Sequence, residues 1–118
     1  MLKKAMDKLI LLNPGFQDPE YPNRDFYCWH CVLLEGLISI YPKLRTQLEI
    51  ERVDWQKPRH RVIELVGPEN QSLPLLILNR GKTSKYSNGA WQDRAFISDK
   101  DLILKYLTDE YGIAESHP

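Results

Sequence analysis

The apolar and polar positions in the first half of the chain predict a strand, a helix and a second strand. Lys8–Leu12 (KLILL) is short and continuously apolar, which is typical of a buried strand. Cys31–Tyr41 (CVLLEGLISIY) is apolar on nearly every face and long enough for a buried helix, which Pro42 would end. Leu48–Val53 (LEIERV) begins with the alternation of a half-buried strand. This half of the chain therefore predicts a β-α-β unit.

The second half of the chain predicts a helix, a hairpin and a final helix. Pro58 near a first helical position and Gly67 as a stop enclose a short amphipathic helix. An Asn-Arg-Gly turn joins Leu75–Leu78 to Lys82–Tyr86, which indicates a β-hairpin. Ser98 would cap the last helix, whose first turn is acidic and whose end is marked by a glycine.

The whole order predicts an α/β fold. The Asn-Gly pair and Trp91 within residues 87–94 indicate a loop, and Arg94–Ile97 adds a short extended piece. The elements then read β-α-β-α-β-β-α, which predicts a central mixed sheet flanked by helices. Residues 1–7 would form an N-terminal extension and residues 8–118 a single domain.

The charge balance excludes several classes of partner. The 118 residues carry 16 basic and 16 acidic side chains, so no global field would gather nucleic acid or an anionic membrane. The basic start of the chain is followed by the apolar run Leu9–Leu12, which is too short for a secretory signal or a membrane span. We therefore expect a cytoplasmic protein that binds neither nucleic acid nor membrane.

The two cysteines of the chain form the motif Cys28-Trp29-His30-Cys31, directly ahead of the first predicted helix. The unpaired N–H groups and the dipole of a helix N-terminus favour a thiolate, which is the form that attacks disulfides. The spacing separates the two sulfurs by about one helical turn. Cys28 would therefore be the exposed, attacking thiol and Cys31 the resolving thiol. In a reducing compartment this spacing is more typical of redox or metal chemistry than of a structural disulfide.

Two other uses of the cysteines are open at this point. The pair could be small buried apolar residues, or it could be half of a zinc site. Zinc normally takes four ligands, and outside the motif the candidates are His60 and His117, the latter beside the C-terminus. We therefore expect a redox dithiol and no metal.

Two motifs in this order resemble those of the thioredoxin-like superfamily. Cys28-Trp-His-Cys31 stands where that superfamily keeps its redox motif, and Ser72-Leu73-Pro74 stands where it keeps a cis-proline. The resemblance covers roughly residues 8 to 112 and implies a thioredoxin-like fold. More closely, Phe26–Cys31 together with Gln71–Leu75 is similar to an uncharacterised bacterial family of small thioredoxin-like proteins, classed as a domain of unknown function.

The resemblance implies roles for the neighbours of the dithiol. A cis bond at Pro74 would turn the backbone of Leu73 toward the dithiol, where it pairs with an extended substrate; a trans proline that opens a strand is the alternative. His30 would tune the thiolate by charge or hydrogen bonding, or would simply be solvated. The Trp-His middle pair is closer to those of disulfide isomerases and strong oxidants than to that of thioredoxin, which implies a less reducing potential.

The start of the last helix resembles that of the final helix in the N-terminal domains of glutathione transferases. In that family an acidic residue and a serine at the helix start hold the γ-glutamyl end of glutathione. Asp99 matches the acidic position, but Lys100 stands where the serine is expected. Capping of the helix by Ser98, Asp99 and Asp101 would explain the same residues. Glutathione is thus one candidate ligand, with capping as the alternative.

Two further groups of side chains lie near these motifs. A basic cluster at the start of the second helix is interpreted as a solvated face; it consists of Lys57, Arg59, His60 and Arg61. Aromatic residues crowd the dithiol motif and predict a docking rim for a protein or peptide thiol; they are Tyr21, Phe26, Tyr27 and Trp29.

Two functions fit these observations. The first is a thiol–disulfide oxidoreductase that uses Cys28 and Cys31 without a metal or a bound organic cofactor. The second is a thioredoxin-fold interaction or redox-sensing module without significant turnover. The long loop Asn13–Tyr27 favours the second, because it could cover the thiols or select one partner. Either protein would have protein or low-molecular-weight thiols and disulfides as partners, glutathione among them, and fold alone does not separate the two.

Overall fold

A computed structural model describes residues 6–118. The strands are β1 (Lys8–Leu12), β2 (Glu49–Val53), β3 (Leu75–Ile77), β4 (Gly89–Trp91) and β5 (Arg94–Ile97). The helices are α1 (Trp29–Ile40), α2 (Leu44–Gln47), α3 (His60–Val66) and α4 (Lys100–Tyr111). Of the predicted N-terminal extension, residues 1–5 lie outside the described residues, whereas Asp7 is buried.

The five strands form one mixed sheet in the order β2-β1-β3-β5-β4. β1 pairs in parallel with β2 and antiparallel with β3, and β5 pairs antiparallel with both β3 and β4. The central position of β1 buries it along its whole length, which explains its continuous apolar run. The protein therefore has a mixed α/β fold.

Alternate residues of β1 face two apolar cores on opposite sides of the sheet. Leu9 and Leu11 belong to a core that α1 and α4 complete, for example through Leu34 and Leu107. Ile10 belongs to a second core that α3 completes. Because successive side chains of a strand point to opposite faces, one short strand anchors helices on both sides of the sheet.

The edge strand β2 is tied to a helix on each face by charged side chains. The Arg52 guanidinium donates to both carboxylate oxygens of Glu35 on α1, at 2.7 Å each. The Arg61 guanidinium on α3 donates to both carboxylate oxygens of Glu51, at 2.9 and 2.8 Å. Charged side chains on an edge strand also discourage pairing with a further chain.

The predicted hairpin between Leu75–Leu78 and Lys82–Tyr86 is wrong in its second strand. β3 lies between β1 and β5, and β5 forms its own hairpin with β4. Gln92 and Asp93 join these two strands with φ of 44° and 68°, the positive values of a type I′ turn. Type I′ turns usually contain a glycine, and this one does not. The sequence pattern therefore predicted a loop where β4 lies.

Gly67 ends α3, as predicted, and also makes room for β4. It has a φ of 86°, and a Cβ added there would lie 2.8 Å from Cε3 of Trp91. Atoms do not pack that closely, so the missing side chain lets the Trp91 ring rest on the backbone. Trp91 is consequently part of the packing between α3 and β4 and does not lie in a free loop.

Candidate functional site

The ends of β1 and β2 and the start of β3 meet at one edge of the sheet, which we call the dithiol edge (Leu12, Val53 and Leu75). The backbone N–H of Asn13 donates to the carbonyl of Val53 at 2.8 Å, so the chain leaves both strands at the same level. Leu75 pairs with Ile10, and the residues ahead of β3 therefore approach the end of β1.

Both cysteines lie at this edge. Cys28 is the N-cap residue of α1, and its Sγ accepts a hydrogen bond from the backbone N–H of Cys31 at 3.3 Å. The Sγ of Cys31 accepts one from the backbone N–H of Leu12 at 3.4 Å, which joins α1 to the end of β1. The two cysteines are free thiols and lie 3.2 Å apart. Each sulfur therefore receives an N–H donor, and such donors favour negative charge on sulfur.

The two thiols differ in exposure. Cys31 is 2% exposed and belongs to the larger core, whereas Cys28 is half-buried at its margin. Burial raises the pKa of the Cys31 thiol to about 12; the Leu12 N–H opposes this, and the neighbouring Cys28 adds to it. Cys31 is therefore protonated at neutral pH, and the sulfur that solvent reaches is that of Cys28. The roles of attacking and resolving thiol stay predictions.

The two residues between the cysteines contact each other and α4. Trp29 is 63% exposed, and its ring lies 3.9 Å from that of His30, centroid to centroid. The Nζ of Lys100 lies 4.9 Å from the centroid of the Trp29 ring, so the first residue of α4 reaches the dithiol motif. Within residues 6–118 the contact that we find for His30 is with Trp29, and its tuning of the thiolate stays a prediction.

The Leu73–Pro74 bond ahead of β3 is cis, as the resemblance implied. Pro74 is buried, and Leu73 packs against the core that contains Cys31 and carries Cys28 at its margin. A second cis bond, Lys57–Pro58, was not predicted. Contact between the Leu73 backbone and a substrate stays a prediction.

Asp99 caps α4. Its Oδ2 accepts a hydrogen bond from the backbone N–H of Leu102 at 3.0 Å. Ser98, the predicted cap, instead donates its backbone N–H to Oδ1 of Asn88 at 2.9 Å. The predicted cap is therefore wrong by one residue. Capping accounts for the position of Asp99, and a contact with glutathione stays a prediction.

The long loop ahead of Cys28 is closed on itself. The backbone N–H of Phe16 donates to the carbonyl of Phe26 at 3.1 Å, and the N–H of Phe26 donates back at 2.8 Å. The Phe16 ring stacks on Trp55, with ring centroids 5.3 Å apart. Tyr21 and Tyr27 are exposed on this loop. The loop therefore rests on the segment after β2 and carries exposed aromatic rings close in sequence to the dithiol, and sequence reasoning missed the anchor, Trp55.

Comparison with known proteins places the chain in a family. Residues 6–115 match the family described as "Protein of unknown function (DUF3088)". The chain belongs to this family. No curated protein and no solved structure matches it significantly. The family description assigns no reaction, so the chemistry of this DUF3088 protein is argued from the geometry of its site.

The predicted solvated face of basic residues divides in this DUF3088 protein. Lys57, His60 and Arg61 are exposed. Arg59 is only 8% exposed, so the prediction of a solvated face is wrong for this residue. Arg59 precedes α3 on the same helical face as Val62 and Val66, whose side chains are buried. That periodicity was the signal that could have identified Arg59 as an inward-facing cation.

Arg59 joins two segments at the dithiol edge. Its Nε and Nη2 donate to the carbonyl of Trp55 at 3.0 and 2.7 Å. Its Nη1 donates to the carbonyl of Gln71 at 2.5 Å, and its backbone N–H donates to Oε1 of Gln71 at 2.8 Å. Burial lowers the pKa of Arg59, whereas the charges of Cys31 and Cys28 raise it. Trp55, whose carbonyl holds the guanidinium, packs against the core that contains Cys31 and has Cys28 at its margin.

A second buried polar group, which sequence reasoning missed, lies at the opposite edge of the sheet. The carboxylate of Asp7 accepts hydrogen bonds from the hydroxyls of Tyr106 and Tyr111, the backbone N–H of Asn79 and the ammonium of Lys82. We call these five residues the Asp7 cluster. A cavity of about 360 Å³ opens beside it. Burial raises the pKa of Asp7, but these donors outweigh burial and hold the pKa below its ordinary value.

Two further searches of the described structure concern metals and membranes. Within residues 6–118, no group of three or more His, Cys, Asp or Glu side chains converges in a way that could hold a metal ion. His60 and His117, the candidates for completing a zinc site, are both exposed. In the same part of the chain, no helix combines the length and the apolarity needed to cross a membrane.

Proposed function

We propose that this protein is a thiol–disulfide oxidoreductase in which Cys28 attacks and Cys31 resolves. The observation that carries the proposal is the unequal pair at the start of α1. Cys28 is half-buried and accepts a backbone N–H, and Cys31 lies 3.2 Å away with 2% exposure. Cysteines separated by one helical turn are within reach of an intramolecular disulfide.

A thioredoxin-like fold is part of this proposal. The parallel pairing of β1 with β2, followed by the antiparallel pairing of β3 with β1, supports it. The antiparallel addition of β5 to β3 supports it further, because antiparallel strands then extend the predicted β-α-β unit. α2 and β4 are additions to the predicted order of elements, and β5 takes the place of the wrongly predicted strand Lys82–Tyr86.

The proposed reaction transfers two electrons from the dithiol to a partner disulfide. The Cys28 thiolate attacks one partner sulfur, the partner S–S bond breaks, and the first partner thiolate leaves and takes a proton from water. The Cys31 thiol then attacks the Cys28 sulfur, which breaks the mixed disulfide. The proton of Cys31 passes to the second partner thiolate as that thiolate leaves. The partner is reduced to two thiols, and Cys28 and Cys31 are oxidised to a disulfide.

Trapping of the mixed disulfide tests this division of roles. Reduced Cys31→Ser and Cys28→Ser variants would each be mixed with a peptide disulfide and, separately, with oxidised glutathione. We expect Cys31→Ser to accumulate a mixed disulfide, because the resolving thiol is gone, and Cys28→Ser to accumulate little. Wild-type protein should instead end as the intramolecular disulfide. Equal trapping by the two variants, seen as the same mass increase, would contradict the assignment.

A second candidate function, a redox-sensing or interaction module, is favoured by one observation. The loop 13–27 is anchored by the Phe16–Trp55 stack and exposes Tyr21 and Tyr27. Exposed aromatic residues are typical anchors of protein interfaces. Turnover separates the two functions: an oxidoreductase reduces a peptide disulfide repeatedly when a chemical reductant is supplied. A sensor equilibrates with glutathione buffers but accelerates no such reaction.

A further inference from the structure

Arg59 is a buried cation at the dithiol edge. It is 8% exposed, and its guanidinium donates to the carbonyls of Trp55 and Gln71. Among residues 6–118 we find no carboxylate within ion-pair distance of it; the ion pairs there use other cations. A buried charge without an opposite charge is costly, so an unpaired guanidinium at this place requires an explanation.

The carbonyl that holds Arg59 belongs to Trp55, whose side chain packs against the core that contains Cys31 and has Cys28 at its margin. The charges of the two thiols raise the pKa of Arg59, against the effect of burial. Two charged side chains on the helices beside the dithiol already have an opposite charge, and Asp54, directly after β2, accepts a hydrogen bond from the amide of Asn13. On α1, Glu35 is held by two hydrogen bonds from Arg52. On α4, Lys100 lies over the Trp29 ring, and its Nζ is 3.2 Å from the carboxylate of Asp101.

Among residues 6–118, Arg59 is therefore a buried cation at this edge that gains an opposite charge when a thiolate forms. Its two anchoring carbonyls belong to the segments that follow β2 and precede β3, so the guanidinium is fixed at the edge from two sides. A cation held rigidly needs no reorganisation when negative charge develops beside it, and that is the condition under which it stabilises the charge best.

We propose that Arg59 is a positioning residue that stabilises the anionic sulfur of the dithiol. Its part in disulfide exchange rests on the proposed function, but its effect on the thiolate does not require turnover. The guanidinium favours the Cys28 thiolate before attack on a partner. It also favours loss of the proton from Cys31 as that thiol attacks the mixed disulfide. No electron or proton passes through Arg59 itself.

The test is the pH profile of Cys28 alkylation by iodoacetamide, measured in a Cys31→Ser background so that one thiol reacts. Arg59→Gln removes the charge, Arg59→Lys keeps it, and Arg61→Gln removes a neighbouring guanidinium that is paired with Glu51. We expect Arg59→Gln to shift the profile to higher pH and to lower the rate at pH 7 by about tenfold, which corresponds to a shift of one pH unit. The limiting rate at high pH should not change, and the lysine and Arg61→Gln variants should stay close to the parent.

Two results would overturn the assignment: an unchanged profile in folded Arg59→Gln protein, or a loss of rate by the same factor at every pH, as a merely structural role would give. If mixed disulfides cannot be trapped but the profile shifts, the proposed function fails and the assignment of Arg59 stands.

If the glutamine variant does not fold, the NMR signal of the Arg59 Nε–H in unmodified protein decides. It should move with pH as the Cys28 thiolate forms, and it should not move in Cys28→Ser. Identical behaviour of the two proteins would overturn the assignment.

Discussion

The two edges of the sheet bury ionisable groups in opposite ways. In the Asp7 cluster, one carboxylate accepts four hydrogen bonds, and the ammonium of Lys82 supplies the opposite charge. At the dithiol edge, Arg59 is buried against carbonyl groups, and Cys28 keeps a partly open sulfur. Balanced burial of charge contributes rigidity, whereas an unbalanced charge beside a titratable thiol contributes reactivity. The comparison predicts that changes at the first edge alter stability and that changes at the second alter chemistry.

The largest expected effect is the difference in reactivity between the two thiols. Burial raises the pKa of the Cys31 thiol far above its ordinary value, so Cys31 stays protonated at pH 8. Iodoacetamide added to the reduced wild-type protein at pH 8 should therefore label Cys28 and leave Cys31 unlabelled. Peptide mapping by mass spectrometry gives the distribution. Labelling of Cys31 at a comparable rate would show that the dithiol edge is less asymmetric than its burial indicates.

The next effect is the stability supplied by the Asp7 cluster. Asp7→Ala leaves the hydroxyls of buried Tyr106 and half-buried Tyr111 without their acceptor and takes a carboxylate from Lys82. We expect this change to lower the free energy of unfolding by about 3 kcal/mol, as measured by urea denaturation. Asp109→Ala is the matched control, because its exposed carboxylate also accepts a tyrosine hydroxyl, that of Tyr86. The control should change stability by about 0.5 kcal/mol or less. Equal losses in the two variants would remove the distinction between the edges.

A smaller effect is the acid dependence of stability. The pKa of Asp7 is lowered in the folded protein, so the unfolded chain binds its proton first as the pH falls. The contribution of Asp7 is therefore complete above its ordinary pKa of about 4 and is lost as the pH drops through the folded value. Glu51 acts in the same direction: the Arg61 hydrogen bonds lower its pKa, burial opposes them, Lys8 assists, and the pKa reaches about 2.

Wild-type protein should consequently lose stability between about pH 4 and pH 2, and Asp7→Asn should show a shallower loss. Urea denaturation at a series of pH values measures both slopes. Glu51→Gln gives a comparison at the edge strand, where the carboxylate is partly exposed. Parallel curves for wild type and Asp7→Asn would mean that the carboxylate is not held in its ionised form.

The smallest effect concerns Asp99. Loss of the cap in Asp99→Ala should lower the free energy of unfolding by about 1 kcal/mol. If Asp99 also holds the γ-glutamyl group, glutathione should bind to a Cys28→Ser variant, and Asp99→Ala should weaken that binding by about tenfold or more. Titration calorimetry measures the affinity. Asp101→Ala, in the same helical turn, is the control. No binding at millimolar glutathione would leave protein thiols as the partners to pursue.

Local signals in the sequence were enough for several elements. The apolar run of β1 predicted its bounds, and Gly112 ends α4 in the left-handed conformation that favours glycine. The strand that pairs with β3 was misplaced, because Lys82 resembles the start of a strand in sequence but binds Asp7 in the fold. β4 was missed for a similar reason. Its type I′ turn contains no glycine, and the contacts that stabilise the strand come from residues distant in sequence.

The residues of the candidate site also differ in how far the sequence predicted them. The two cysteines belong to a short motif that the sequence displays directly, whereas the cis bond of Pro74 was expected from the resemblance. The Asp7 cluster joins residues up to 104 positions apart, and no local pattern announces such a contact. Arg59 lies between these cases, since its helical phase with Val62 was visible but its partners, two backbone carbonyls, were not.

Closure of the loop by Phe16 and Phe26 separates the tip of the loop from Cys28. The Phe16–Phe26 bridge holds the two ends of the loop together. Residues 17–25 between these ends form a tip that can change in sequence or length without displacing Cys28. Lengthening such a loop is inexpensive, at about 0.6 kcal/mol for each doubling. We therefore expect a change in the sequence or length of this tip to leave the reactivity of Cys28 unchanged.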